Sequence, residues 1–206
     1  MVVVVLVRHA QSTANAMRIL SHDADKHPIT DEGREQAKRV ARELKKLKVA
    51  RLYTSPVLRA YQTSAIIGQE LDMIPVVDDR LRERFLGELN NKRMPEGVHW
   101  KLKLYYGEVK DVEQWEEMKR RMLDFINSLT NIEGVVVAVS HHDPIKGVIS
   151  HILGLDDLES MGLIIPNSHM TIIKWDPSPK ILAIGTPLIT NALLDKINGS
   201  IKRGYG

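Results

Sequence analysis

Val2-Val3-Val4-Val5-Leu6-Val7-Arg8-His9 opens the chain with six apolar residues, all but Leu6 β-branched, and ends them on two basic ones. A continuous apolar run of this length, without polar alternation, reads as a strand buried on both faces, the pattern of a sheet with helices on either side. Neighbouring strand residues point to opposite faces. Arg8 and His9 can therefore share one pocket only if the backbone leaves the strand there, and the polar run from Arg8 to Asn15 agrees with that.

Two further strands end in a similar way. Arg51 to Thr54 runs into Ser55-Pro56, which breaks it and opens a helix over roughly Val57 to Leu71 with Arg59 in its first turn. Val135 to Val139 ends in Ser140-His141, with Asp143 and Pro144 expected as N-cap and N1 of a helix that stops near Gly154. Thr30 caps a helix with Asp31 and Glu32 in its first turn and Ala37, Val40, Ala41, Leu44 and Leu47 at helical spacing. A long amphipathic helix is expected from Asp111, on Val112, Trp115, Met118, Met122, Phe125, Ile126 and Leu129. Pro75 to Val77, Met170 to Trp175 and Lys180 to Gly185 read as strands, and the tail after Thr186 carries no assignment. Residues 80–110 lack periodicity and hold Gly87, Asn90-Asn91, Pro95, Gly97 and Gly107, so they read as a lid or insertion. The alternation implies an α/β fold, a three-layer α/β/α sandwich with a mostly parallel sheet, in one domain over residues 1–206. Ligands of such folds gather beyond the carboxyl ends of the strands.

Composition narrows the function. The 206 residues are 43% hydrophobic and 27% charged, the balance of a folded soluble protein. No apolar stretch approaches the ~20 residues of a membrane span, and the short apolar start lacks the flank and cleavage site of a signal peptide, so a cytoplasmic location is expected. The absence of cysteine excludes disulfides, thiolate metal sites and a cysteine nucleophile. A net charge of +3 mildly favours anionic ligands, but basic residues are interspersed with acidic ones and no nucleic-acid motif is present.

Arg8, His9, Arg59 and His141 at one sheet edge make sense around a phosphoryl group. Two guanidinium forks neutralise a dianion and bind its oxygens bidentately. They also depress the pKa of a neighbouring histidine, which keeps the imidazole neutral and able to attack phosphorus. A second histidine can hydrogen-bond the transferring oxygens.

The local sequences resemble the histidine phosphatase, or phosphoglycerate mutase-like, superfamily. The Arg-His-Gly signature corresponds to Leu6-Val7-Arg8-His9-Ala10-Gln11-Ser12-Thr13-Ala14-Asn15. Ile29-Thr30-Asp31-Glu32-Gly33 with Gln36-Ala37, Thr54-Ser55-Pro56-Val57-Leu58-Arg59-Ala60 with Gln62-Thr63, Leu81-Arg82-Glu83 and Val139-Ser140-His141 follow in order. The resemblance implies a phosphatase with His9 as nucleophile and Arg8, Arg59 and His141 as the phosphate pocket, with Asn15 and His142 reaching the phosphate. Glu83 is implied as proton donor to the leaving oxygen and later as base for water. That role needs a carboxyl protonated near working pH, through burial or a negative neighbour, so Arg82 and Arg84 are expected to point elsewhere. Neither a metal nor a cofactor is implied, except 2,3-bisphosphoglycerate for a mutase. Three residues depart from the family pattern. Ala10 stands for Gly, Gln11 for the commoner Glu, removing a charge near the pocket, and His142 where Gly often follows. Asp143 would repel a phosphate and is expected to face away as an N-cap.

A phosphoglycerate mutase is the alternative within the family, supported by Leu81-Arg82-Glu83-Arg84 with Gly87 and Leu89; the short insertion before His141 favours hydrolysis. Outside it stand a metal-dependent hydrolase using His141, His142 and Asp143 with His22 or His27, for which no His-Glu-x-x-His spacing exists, and a non-catalytic phosphate-binding protein. The expected partner is a small phosphorylated metabolite, with Lys92, Arg93, Lys101 and Lys103 as candidate contacts to acidic substrates; homodimers are common in similar proteins.

Overall fold

The computed structural model describes residues 2–202; Met1 and residues 203–206, part of the single domain expected from the sequence, lie outside the described residues. The elements in chain order are β1 (Val2–Arg8), α1 (Thr13–Met17), α2 (Asp31–Leu44), β2 (Val49–Thr54), α3 (Leu58–Leu71), β3 (Val76–Val77), α4 (His99–Tyr105), α5 (Trp115–Asn127), β4 (Gly134–Ser140), α6 (His142–Leu153), α7 (Asp157–Ser160), β5 (Met170–Trp175), β6 (Lys180–Thr186) and α8 (Asn191–Lys202).

Val2 through Val7 are all fully buried, and their alternation feeds a core on each side of the sheet. Val3, Val5 and Val7 pack with Val40 and Leu44 of α2, Ile67 of α3 and Ile197 of α8. Val2, Val4 and Leu6 pack with Met122 and Phe125 of α5 and Ile145 and Ile149 of α6. Each such side chain contributes roughly 1.5–3 kcal/mol of transfer free energy. A polar residue would thus be costly at any of these positions, which explains the unbroken apolar run.

The sheet order is β3-β2-β4-β1-β5-β6. The pairs β1·β4, β2·β4 and β2·β3 are parallel, while β5 and β6 are joined on antiparallel. β4 lies between β1 and β2, so the carboxyl ends carrying His9, Ser55 and His141 are adjacent. Two backbone bonds extend the pairing just past the strands: His9 N–H donates to Ser140 O (2.9 Å) and Ser55 N–H to Val139 O (2.9 Å).

Several boundaries differ from the sequence reading. Pro56 precedes the N-cap of α3, which is Val57. α6 starts at His142 with His141 as N-cap, so Asp143 is not the cap but lies inside the first turn, and Pro144 follows it there. The extended backbone of His141 (φ −126°, ψ 174°) ends β4 and starts the helix at once, without a side-chain cap. Val112 and Leu129 lie outside α5, Val112 bridging Leu86 instead. Four helices have no counterpart in the sequence reading, the short α1 and α7 and the longer α4 and α8. α4 presents only Leu104 to the interior, too little to make a period. α8 places Ile197 in the core, with Leu193, Leu194 and Ile201 beside it, an i, i+1, i+4, i+8 pattern that was legible but interrupted by Asn198, Gly199 and Ser200. Residues 80–110 are tied to the loop after α1. Leu20 N–H donates to Lys92 O (2.9 Å), Asn91 N–H to Leu20 O (2.7 Å), and the Asp23 carboxylate accepts from Asn90 Nδ2 (2.6 Å) and Asn91 Nδ2 (2.7 Å).

The Thr30 motif braces the loop after β1. Thr30 Oγ1 accepts from Gly33 N–H (3.0 Å), and Thr30 N–H donates to Gln11 O (2.9 Å). A Cβ on Gly33 would overlap that same Gln11 carbonyl oxygen. Gly33→Ala is expected to cost about 1–3 kcal/mol as an overpacked contact, or roughly 2–12 °C in Tm at this chain length. An unchanged Tm in a calorimetric scan would show that the approach of α2 to this loop is not tight.

Candidate active site

Beyond the ends of β1, β2 and β4 lies a cavity of about 320 Å³ whose lining includes Arg8, His9, Asn15, Arg59, Glu83 and His142. His9, the first residue past β1, is 2% exposed. Its Nδ1 lies 2.7 Å from Ala10 O, and a carbonyl only accepts, so the proton sits on Nδ1 and Nε2 keeps its lone pair. Arg59 Nε donates to that Nε2 at 3.2 Å. Burial, then the charges of Arg59 and Arg8, hold His9 well below the usual histidine range, so it is neutral at pH 7. The backbone around it is pinned: Asn167 Nδ2 donates to His9 O (2.9 Å) and Ala10 N–H to Thr63 Oγ1 (3.0 Å).

The arginines are anchored to backbone carbonyls, Arg8 Nη1 to Ile165 O (2.6 Å) and Arg59 Nη2 to Ser21 O (2.8 Å), and Arg59 Nε is the donor to His9. Arg8 Nε, Arg59 Nη1 and His141 Nδ1 are buried with no hydrogen-bond partner among the described residues. Ser55 Oγ already accepts from Val57 N–H (3.2 Å), so its own hydrogen goes to His141 Nε2 and the ring proton sits on Nδ1. Leaving a buried donor unsatisfied costs about 1–3 kcal/mol, and three in one place suit an oxyanion with several acceptor oxygens. The His141 ring stands 5.1 Å from that of His9, and its Nε2 is 2.8 Å from Ser55 Oγ. Burial first, then Arg59, keeps His141 well below its usual pKa, hence neutral.

Glu83 follows a short 3₁₀ turn (Asp79–Leu81) and brings Oε2 to 3.8 Å from His141 Nδ1. Burial, then the charge of Asp143, pushes its carboxyl up to about 7, against the opposing pull of Arg59 and Arg8. Burial would raise Asp143 as well, but Lys146 (3.2 Å) and His142 Nδ1 (3.2 Å) outweigh it and hold Asp143 well below the carboxylate range. The pair is therefore split at pH 7, with Asp143 ionised and Glu83 titrating. Such splitting separates acid from spectator.

The histidine phosphatase superfamily (branch 1) profile matches residues 4–183. The chain belongs to this family. A 2,3-bisphosphoglycerate-dependent phosphoglycerate mutase from Thermoplasma acidophilum is 32% identical over 205 residues, spanning 96% of this chain and 99% of that protein. Bacillus stearothermophilus YhfR superposes with a TM-score of 0.79 at 22% identity, over 90% of this chain and 98% of that one. A mycobacterial glucosyl-3-phosphoglycerate phosphatase superposes with a TM-score of 0.79 at 21% identity, over 89% and 98%. The two structural likenesses speak to fold alone.

Within this histidine phosphatase superfamily chain, the site residues expected from the sequence fall in one place, with three corrections. Asp143 does not face away: it lines the cavity and is the negative neighbour of Glu83. Gln11 lies off the cavity: its backbone N–H donates to Gln36 Oε1 (2.9 Å), and its side-chain Oε1 accepts from Thr30 Oγ1 (2.8 Å). Of the four basic residues expected at the entrance, only Lys101 lines the cavity. Arg82 and Arg84 do turn from Glu83, Arg82 to Glu113 (3.4 Å) and Arg84 to Glu113 O (2.9 Å) and Asp157 (3.6 Å). Asn15 accepts through Oδ1 from Ser12 N–H (3.0 Å) and Asn167 Nδ2 (3.2 Å), which leaves its own amide N–H groups for a ligand. His22 stacks on Phe85 (3.8 Å) and His27 meets Thr13 and Asn91, away from His141. Among the described residues no group of three His, Cys, Asp or Glu is placed to hold a metal ion.

Sequence reasoning missed the residues that position the site. Asn167 braces His9 and Asn15 together, Ser55 holds His141, and Arg121 donates to the carbonyls of Arg80 (2.6 Å), Arg82 (2.8 Å) and Glu83 (3.2 Å). Arg121 reads in the sequence as one charge in Lys119-Arg120-Arg121, and only its place on the inner face of α5 distinguishes it.

Proposed function

We propose that the chain hydrolyses phosphomonoesters through a phosphohistidine on His9. The observation that carries the reading is the neutral, buried His9 with its lone pair on Nε2, beside Glu83 with a carboxyl near 7. Nε2 attacks phosphorus, the bond to the ester oxygen breaks, and protonated Glu83 gives that oxygen its proton. Arg8, Arg59 and His141 carry donors free to bind the phosphoryl oxygens as charge develops. Asn15 and His142 complete the binding set. Water then attacks the phosphohistidine, Glu83 accepts its proton, and the P–N bond breaks to release phosphate. The substrate is a small phosphorylated metabolite.

A second reading, phosphoglycerate mutase, is favoured by the full-length likeness to the Thermoplasma acidophilum mutase. It alone requires 2,3-bisphosphoglycerate. A panel of phosphomonoesters assayed with and without 2,3-bisphosphoglycerate separates the two. Phosphate release without it supports hydrolysis, and isomerisation of 3-phosphoglycerate only in its presence overturns it. Because two guanidiniums supply the positive charge at the phosphoryl site, p-nitrophenyl phosphate hydrolysis is expected to be unchanged by EDTA. Complete loss with rescue by a divalent ion would sink the mechanism.

A further inference from the structure

Resting on the phosphatase reading, we infer that the preferred substrates are phosphate esters of apolar alcohols, their hydrocarbon part lying against Ile19, Leu86, Met94, Trp100, Leu104 and Met161. These side chains share the cavity with the phosphoryl-binding residues. They come from the loop after α1, from residues 80–110 including α4, and from the end of α7, three stretches that converge only in the fold.

The charges in the same wall are already matched. Arg84 meets Asp157 (3.6 Å) and Glu113 O, and Lys146 meets Asp143 (3.2 Å). Lys101 makes no ion pair among the described residues and lies 5.9 Å from the Trp100 ring. Beyond Arg8 and Arg59 a second anionic group on the substrate would therefore find one cation, Lys101, and the carboxylates of Asp143 and Asp157. Burial of methylenes is the stronger source of discrimination there. Each buried CH₂ is worth up to about fourfold in binding. The site volume of about 320 Å³ is at the small end for ligand cavities, so the gain must stop after a short chain.

The test is kcat/KM over ethyl, butyl, hexyl and decyl phosphate, with glycerol 3-phosphate and 3-phosphoglycerate as polar comparators. The alkyl alcohols are of nearly equal basicity, so leaving-group chemistry is constant along the series. With partial burial, hexyl phosphate is expected to exceed ethyl phosphate by roughly 10- to 100-fold and glycerol 3-phosphate by a similar factor, with no further gain at decyl. Met94→Lys, at a partly exposed position, is expected to lower the hexyl-to-ethyl ratio and raise turnover of 3-phosphoglycerate. A flat alkyl series, or polar esters turned over faster than hexyl phosphate, overturns the inference while leaving the phosphatase reading standing. If no ester is hydrolysed and no phosphohistidine forms, the phosphatase reading itself fails.

Discussion

His9→Ala is expected to lower turnover by about 10⁴- to 10⁶-fold, the scale on which loss of a covalent nucleophile acts. The protein should remain folded. His9 lies past the end of β1, and the side chains that pack that strand, Val2 through Val7, are untouched. Its backbone anchors, the bonds to Ser140 O and from Asn167, do not use the imidazole. Arg8, Arg59 and His141 also remain, so the variant should still bind substrate while failing to react with it. Rapid quench of the unmodified protein with a phosphate-labelled ester should trap acid-labile label on His9, and the variant should trap none. Label on another residue, or label stable to acid, would contradict the proposed chemistry.

Glu83→Gln should produce the second largest effect, and a selective one. General acid catalysis contributes about 100- to 10,000-fold. An alkoxide leaves poorly without a proton, whereas p-nitrophenolate leaves with little help. Phosphorylation of His9 by alkyl phosphates should therefore fall by that factor, and by p-nitrophenyl phosphate far less. The first step must be isolated by pre-steady-state measurement, because Glu83 also serves as base for water. With a carboxyl near 7, the acid is present below that pH and lost above it, so the alkyl phosphate rate should decline on the alkaline side of about 7 and the variant should lack that limb. Equal losses with both esters would reduce Glu83 to a positioning residue. Stability carries the same signature. A carboxyl of about 4.3 in the unfolded chain and about 7 in the folded one binds more protons when folded, so its ionisation removes stability as pH rises between those values. Glu83→Gln should be at least as stable as the unmodified protein at pH 8.

Much of this site was legible in the residues. Val2 through Val7 announced a central strand because a position covered on both faces tolerates no polar side chain, and Arg8-His9 at its end announced the chemistry. Thr30 was readable as a cap because the signal is local: one hydroxyl answers a helix donor three residues on. The short helix α4 was not readable, since a single buried residue makes no period. Asp143 was misread for a related reason. Asp before Pro is the local signature of a helix start, but His141, already extended at the end of β4, took the cap position first.

What the sequence determined by itself was the set of strand ends and the groups placed on them, because strand burial, caps and residue chemistry are properties of neighbours along the chain. What only the tertiary structure decided was how those groups behave. Burial, and then the charge of Asp143 from another element, raises the Glu83 carboxyl to about 7, while Arg82 and Arg84, its immediate neighbours, are held away by Glu113 and Asp157. Asn167, near the far end of the chain, ties His9 to Asn15. A pKa and a hydrogen-bond brace depend on distances through space and on exclusion of water, and neither exists until the sheet has brought these segments together.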